Sequence, residues 1–442
     1  MKRNLYIYLL VLSLSVGSFA QKAQKADATE ANLRKHITYL TSDELGGRRT
    51  GEPGAELAAA YIAGEFKKAK LRAGGATIDG KAGYLQPFTF TPVRDPHAGM
   101  GIDLGPAKEY RGANVIGILD GRDPVLRNEV IVIGAHYDHL GHGGAGSLAA
   151  NSTEIHHGAD DNASGTAAII EMAKMFAREK KNKRTLVFIA FSGEEEGLFG
   201  SNYYVNNPVF PLDKTIAMIN LDMVGRLNDG KLTIGGIGTA TEWKNMVEGL
   251  NLGDPPRMTD LELKPSKFTL QLNEDGFGPS DHSSFYGKKV PVLFLFTGTH
   301  MDYHKPSDTA DKINYDGEKK IIDFVERAIG VIDRNPTRPT YAVAKSSNQG
   351  TRMGFSVSLG TIPNYADSDT GMLLDGVRDG SPAARAGLKA GDKVTSLAGK
   401  PVKNVYDYTA ILGEMKPDVE YDVVIMRGDT PMSMKITPVK RP

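Results

Sequence analysis

Histidines and acidic residues recur in five short motifs that are spread over about half of this sequence. In chain order the motifs are His136-Tyr-Asp138, Gly-Ala-Asp160-Asp161-Asn-Ala-Ser-Gly, Gly-Glu194-Glu195-Glu196-Gly, Asn-Leu-Asp222-Met and Tyr303-His304. Imidazole and carboxylate groups without thiolates suit a hard-to-borderline divalent metal. Five ligand-type positions exceed what one tetrahedral site needs, so the count favours two metals that share a carboxylate. The motifs therefore predict a metal-dependent hydrolase.

Apolar runs predict the elements that hold these motifs. Continuously apolar runs, which are typical of strands covered on both faces, span residues 114–119, 130–137, 185–192, 216–222, 232–237 and 290–297. Helical periodicity covers residues 27–40, 56–71, 164–179, 241–250 and 316–333. This alternation of strands and helices predicts an α/β fold with a doubly wound, largely parallel sheet.

The motifs fall where the predicted strands end. His136 closes one strand, Glu194 and Glu195 follow another directly, and Asp222 closes a third. His304 lies just beyond the strand at 290–297. Open α/β sheets bind ligands at the carboxyl ends of their strands. We therefore expect these distant residues to converge on one crevice.

The motifs resemble those of the co-catalytic dizinc exopeptidases of the bacterial leucyl aminopeptidase and aminopeptidase Y type, from about Leu33 to Asp333. The resemblance implies two Zn²⁺ ions per chain and assigns the site as follows. Asp160 would bridge the two ions. His136 and Asp222 would complete the site of one ion, and Glu195 and His304 would complete the site of the other. Glu194 would be the general base, and Asp138 would orient His136.

The charges of the implied ligands support this allocation. Two Zn²⁺ ions are balanced by three carboxylates and a bridging hydroxide, so the cluster would be neutral and tolerable in a partly buried crevice. The resemblance also implies a cis peptide bond between Asp160 and Asp161, and it gives Asp161 a role outside the metal shell. Asp308 is a candidate to hold His304 from outside the metal shell.

Other histidines near the motifs have a plainer interpretation. Loop histidines are usually solvated, and this reading covers His139, His142, His156 and His157. The consecutive residues Ser280-Asp281-His282 cannot form the relay of a serine hydrolase, so we interpret them as structural.

The last 90 or so residues resemble a bacterial PDZ domain. Gly387-Leu-Lys-Ala-Gly391-Asp392 followed by a short strand is the most specific part of the match. Such a domain, of mixed β/α structure, receives an extended peptide as an added strand. Gly354 and Phe355 would form the loop that binds the peptide, although a module docked on the peptidase is an equal alternative.

The N-terminus resembles a secretory signal. Lys2 and Arg3 precede an apolar run, and Ser18-Phe-Ala20 has the form of a cleavage site. We expect cleavage after Ala20, a periplasmic or released protein, and no membrane anchor thereafter. The predicted domains are a signal at 1–20, an exopeptidase at 27–334, a linker at 335–350 and a PDZ domain at 351–442.

Composition narrows the classes of partner. The chain has 442 residues, 53 basic and 53 acidic, so its charge does not suggest a nucleic-acid partner. It has no cysteine, which excludes disulfides and leaves histidine and carboxylates as metal ligands.

These observations together predict a secreted zinc aminopeptidase that acts on peptides. A carboxypeptidase or a glutaminyl cyclase would use the same fold. A catalytically silent peptide-binding protein is the alternative from another class. The presence of Glu194 beside the ligand Glu195 argues against that alternative, because a silent protein has no need of a base.

Overall fold

The computed structural model describes residues 30–78, 80–90, 109–144, 146–149, 152–254, 264–344, 357–363, 371–377, 380–403 and 405–440. The predicted signal at 1–20 and the predicted peptide-binding residues Gly354 and Phe355 lie outside these ranges. The predicted domain boundaries remain predictions.

A nine-stranded mixed sheet forms the centre of the larger, N-terminal part. Its strands are β1 (Arg72–Ala73), β4 (Leu85–Phe90), β5 (Tyr110–Leu119), β6 (Val130–His136), β7 (Thr185–Phe191), β8 (Thr215–Leu221), β9 (Lys231–Gly235), β10 (Thr269–Leu272) and β11 (Val292–Phe296); β2 (Thr77–Ile78) and β3 (Lys81–Ala82) form a separate hairpin. The order is β1-β5-β7-β6-β8-β11-β9-β10, and β4 pairs with β5. The central strands β7, β6, β8 and β11 are parallel to one another. Their carboxyl ends therefore meet at one edge of the sheet.

Helices cover both faces of this sheet. The helices are α1 (Glu30–Leu40), α2 (Pro53–Lys68), α3 (Gly165–Glu179), α4 (Phe199–Asn206), α5 (Trp243–Leu252), α6 (His282–Tyr286) and α7 (Tyr315–Arg334). Alternate residues of β6 enter different cores: Ile131 and Ile133 pack with α1, α2, α3 and α7, whereas Val130 and Val132 pack with α4 and α6. Every residue of β6, β7 and β8 is buried, which explains their continuously apolar sequences.

The C-terminal part has its own hydrophobic core. Its elements are β12 (Val357–Ser358), β13 (Thr361–Pro363), β14 (Met372–Val377), α8 (Pro382–Arg385), β15 (Asp392–Leu397), β16 (Lys400–Pro401), α9 (Val405–Glu414), β17 (Tyr421–Arg427), β18 (Thr430–Ile436) and β19 (Val439–Lys440). The strands pair antiparallel. The predicted fold class, a largely parallel α/β sheet followed by a small β/α module, is confirmed.

Some elements carried too weak a signal to be predicted. The antiparallel edge strand β4 has an exposed, alternating face, and β10 has only four residues. Helix α4 begins directly after the acidic motif, and α6 has only five residues. Among the described residues, no helix is long and apolar enough to cross a membrane.

Candidate metal centre

The carboxyl ends of β6 and β8 bring His136 and Asp222 together. Nε2 of His136 lies 3.3 Å from Oδ1 of Asp222 and 3.3 Å from Oδ1 of Asp161. These three side chains are buried, and their ligand atoms lie within 4.8 Å of one another. They form a cluster of the size and composition of one metal site.

A second cluster adjoins the first through Asp161. Nε2 of His304 lies 3.1 Å from Oδ2 of Asp161 and 3.3 Å from Oε2 of Glu195. One oxygen of Asp161 thus faces His136 and the other faces His304. Asp161 is the carboxylate that the two clusters share.

Asp160, which the sequence analysis assigned to this bridging position, points elsewhere. Its Oδ1 accepts hydrogen bonds from the Gly225 amide at 2.6 Å and the Ser164 hydroxyl at 3.1 Å, and its Oδ2 lies 3.2 Å from Nε2 of His300. The assignment of Asp160 to the bridge and of Asp161 to a place outside the metal shell is therefore wrong, because adjacent side chains in the turn Ala159–Ser164 point in different directions. The cis peptide bond joins Asp161 to Asn162, one residue later than expected.

Two glycines that have no room for a Cβ explain the local backbone path of this motif. A Cβ on Gly158, whose φ is +56°, would lie 2.3 Å from the Asp161 carbonyl oxygen and 2.5 Å from the ring of His139. A Cβ on Gly165 would lie 2.5 Å from the carbonyl oxygen of Leu221, at the end of β8. Glycine at both positions lets the motif pass close to the neighbouring ligand segments.

Asp138 lies beside His136, as expected from the sequence. Its Oδ1 is 3.8 Å from Nδ1 of His136, and its main-chain oxygen is closer, at 3.2 Å. The carboxylate also accepts the amide of Glu194 at 3.3 Å. Asp138 therefore contacts both the ligand strand β6 and the segment that carries Glu194.

Asp308 supports a different segment from the one expected. Its Oδ2 accepts the amides of Asp160 and Asp161 at 2.8 and 3.1 Å, and its Oδ1 accepts from Arg226 at 3.1 Å. Nδ1 of His304 instead donates to the Gly146 carbonyl at 2.8 Å. Asp308 thus holds the backbone of the Asp161 motif, whereas the loop at Gly146 orients His304.

The electrostatics of the centre fit a divalent metal. Burial alone would lower the pKa of His136 and His304, but the surrounding carboxylates outweigh it and hold both values well above the usual range. Burial raises the pKa of Glu194 well above its usual value, and neighbouring Glu195 and Asp222 raise it further. Histidines are the ion-pair partners of Asp161, Glu195 and Asp222 among the described residues. A buried excess of negative charge of this kind is what bound cations offset.

His139 is buried, contrary to the solvated interpretation. Its Nδ1 lies 2.8 Å from Oε1 of Glu195, the oxygen that does not face His304. His156 is also buried, against the Ser147 hydroxyl at 2.7 Å, whereas His142 is exposed and His157 is half-buried. The sequence position of His139, three residues after the ligand His136, was the only signal of a role in the site. Loop histidines are too common for that signal to predict a buried contact with Glu195.

Ser280 also contributes to the centre. Its hydroxyl donates to Oδ2 of Asp222 at 2.7 Å and accepts from Nδ2 of Asn220 at 2.8 Å. Asp281 is buried, and burial raises its pKa to about 7. His282 stacks on Phe294 with ring centroids 4.4 Å apart. The Ser-Asp-His string is therefore no relay, and its first residue orients a ligand.

The crevice that exposes this centre has a mixed lining. Polar walls come from the clustered ligands and Glu194. The remaining walls are Met223, Pro279, Phe294, Phe296, Thr299 and Tyr303. The centre therefore faces a largely apolar surface on one side.

The buried His, Asp and Glu cluster lies at the carboxyl ends of the parallel strands, where open α/β sheets bind their ligands. Residues 114–329 match the model of peptidase family M28, and residues 352–437 match that of the PDZ domain. The chain thus contains a region that matches peptidase family M28 followed by a region that matches the PDZ domain, and these matches support a metallopeptidase.

Known proteins resemble this chain over most of its length. It is 29% identical to leupeptin-inactivating enzyme 1 of Streptomyces exfoliatus over 65% of this chain and 53% of that protein. The chain therefore spans about half the length of that relative. The fold matches an aminopeptidase from Aneurinibacillus sp. strain AM-1 (TM-score 0.51, 20% identity, 74% of this chain and 98% of the other). It also matches a zinc aminopeptidase from Bacillus subtilis (TM-score 0.53, 18% identity, 72% and 99%).

Proposed function

We propose that this protein is a dizinc aminopeptidase that removes N-terminal residues from peptides. The observation that carries the proposal is the position of Asp161, which turns one carboxylate oxygen towards His136, the neighbour of Asp222, and the other towards His304, the neighbour of Glu195. Each half of the centre then has three protein ligands, the number typical of catalytic zinc. A structural site would instead have four.

The side chains of the centre divide the work of hydrolysis. Two bound zinc ions would polarise the scissile carbonyl and lower the pKa of the attacking water. Glu194 lies within 4.8 Å of the ligand atoms of His136 and Glu195, which is close enough for it to act on that water. We assign to its carboxylate the role of general base, which takes the water proton and delivers it to the leaving amine.

The apolar wall favours a substrate class. Met223, Phe294 and Phe296 would receive an apolar side chain beside the scissile bond. Recognition of a free N-terminus is supported by the named aminopeptidases of the same fold. We also propose secretion, on the pattern of residues 2–20, and binding of an extended peptide by the PDZ domain.

Product analysis tests the proposal. The zinc-loaded protein is incubated with free and N-acetylated peptides, with leucine, aspartate or glutamine at the N-terminus. We expect release of N-terminal leucine from free peptides only, and no release after chelation. Release from blocked peptides would indicate a carboxypeptidase or endopeptidase, and loss of ammonia from N-terminal glutamine without cleavage would indicate a cyclase.

Two variants test the assignment of the base. Glu194→Gln should retain zinc and lose about 10²–10⁴-fold in turnover, the range expected for a missing general base. Glu196→Gln is the matched control, because Glu196 pairs with Arg49 at 3.0 Å and does not belong to the ligand clusters. A Glu194→Gln variant that cleaves at the parent rate would refute the assignment.

A further inference from the structure

Arg48 is a buried cation in the loop between α1 and α2. Its side chain is fully buried, and its backbone adopts a left-handed φ of 51° that few non-glycine residues adopt. The sequence places it in Gly46-Gly-Arg-Arg-Thr, before the part of the chain that matches the M28 model. A large buried cation in an unusual conformation requires compensating contacts.

The guanidinium of Arg48 donates to four main-chain oxygens. Nε donates to Tyr137 at 2.8 Å, and Nη2 donates to Gly158 at 2.9 Å. Nη1 donates to Leu40 at 2.5 Å and to His157 at 2.7 Å. One planar group thus links helix α1 to two other segments of the chain.

Those two segments carry ligands of the metal centre. Tyr137 lies between His136 and Asp138, and Gly158 opens the turn that presents Asp161. The link is reinforced by the backbone, since the His139 amide donates to the Arg48 carbonyl at 3.3 Å and the Gly141 amide to that of Gly47 at 3.0 Å. The loop therefore holds the ends of both ligand segments at a fixed separation.

The charge of Arg48 acts on the same centre. The acceptors of its hydrogen bonds are neutral carbonyls rather than carboxylates. Burial lowers its pKa to about 10, while Asp138, Asp161, Asp308 and Glu195 act in the opposite direction. The guanidinium is thus still protonated at neutral pH, and its positive charge attracts these four carboxylates.

We propose that Arg48 is a positioning residue that forms the metal centre before metal binds, by tying the His136 and Asp161 segments together and offsetting the repulsion between carboxylates. This inference rests on the proposed dizinc centre. A lysine at this position would keep the charge, but its three donors on one nitrogen cannot span four carbonyls.

Arg184 provides a matched control. It is also fully buried and donates through Nη1 to the carbonyls of Ile332, Asp333 and Asn335 at 3.0, 2.8 and 2.7 Å. It precedes β7, whereas Glu194 and Glu195 follow that strand at its other end. Arg184→Lys therefore breaks a comparable clamp far from the metal centre.

The experiment measures zinc affinity by competition with a chelator, together with thermal unfolding of the metal-free proteins. Both lysine variants should unfold at lower temperature. Arg48→Lys should also lose about 10–100-fold in zinc affinity, the usual range for residues that orient ligands, whereas Arg184→Lys should bind zinc as the parent does. Equal zinc affinity in the two variants would overturn the inference.

Amide exchange in the unmodified protein provides a second test that needs no variant. If Arg48 holds the segments without metal, residues 137–141 and 157–161 should exchange slowly in the metal-free protein, with little further protection from zinc. Strong zinc-induced protection of these amides would contradict the inference. A parent protein that binds no zinc would instead refute the proposed function itself, so the two failures are distinguishable.

Discussion

Replacement of Asp161 by asparagine tests the shared carboxylate directly. The asparagine side chain would keep one carbonyl oxygen where the aspartate presents two, at 3.3 Å from His136 and 3.1 Å from His304. The amide NH₂ is a donor and cannot bind a cation. One half of the centre would then retain only two protein ligands, below the three that a catalytic zinc requires. We expect the parent to bind two zinc ions and Asp161→Asn to bind one.

The expected effect on turnover follows from the lost ion. A metal ion contributes several kcal/mol of transition-state stabilisation. A loss of about 4 kcal/mol corresponds to a rate decrease of about 10³-fold. Elemental analysis and peptide hydrolysis, measured on the same preparation, give both quantities.

Asp160→Asn is the matched control for this prediction. Asparagine there retains an acceptor for the Gly225 amide, so we expect lower stability but two bound zinc ions. The reasoning would be refuted if Asp160→Asn bound one zinc ion and Asp161→Asn bound two. That result would restore the assignment made from the sequence.

Three further predictions concern the surroundings of the centre and the rest of the domain. Ser280→Ala should weaken zinc binding by about 10–100-fold in chelator competition, because Asp222 loses its 2.7 Å donor; unchanged affinity would show that the hydroxyl does not orient the ligand. Zinc at 100 times the dissociation constant of each site should stabilise the metal-free protein by about 2.7 kcal/mol per site, or about 5.4 kcal/mol for two independent sites, in thermal unfolding, whereas Mg²⁺ should have little effect. Lys174 lies 2.6 Å from Glu65 and 3.0 Å from Glu171. A hydrogen bond from Lys174 outweighs the effect of burial and lowers the pKa of Glu65 to about 2. A hydrogen bond from His36 does the same for Glu171, whose pKa is also lowered to about 2. This stability is present above the unfolded pKa near 4.5 and is lost as the pH falls towards 2, so Lys174→Met should weaken the pH dependence of unfolding in that range.

The sequence predicted the fold well where burial dictated composition. Strands β6, β7 and β8 are buried on both faces, so their apolar runs gave their positions to within one or two residues. Edge strand β4 alternates between exposed and buried residues and escaped detection.

The sequence predicted which motifs form the site, but not which side chain of each motif faces it. His136 ends a strand, and Glu195, Asp222 and His304 follow strands, so the sheet brings these four residues to the same edge. Asp160 and Asp161 offer identical chemistry at adjacent positions, and only the backbone of the turn decides which one faces the centre. His139 and Ser280 act through contacts between distant segments, which a single sequence does not display.

The residues that hold the centre extend beyond those that form it. The match to family M28 begins at residue 114, and every side chain of the two ligand clusters lies within it. Arg48 precedes this region, yet it contacts the backbone beside His136 and ahead of Asp161. A fragment that begins at residue 114 would therefore keep all the ligands but lose the clamp between their segments. Because catalytic geometry must be held within about 0.5 Å, the loop before the family core belongs to the functional unit.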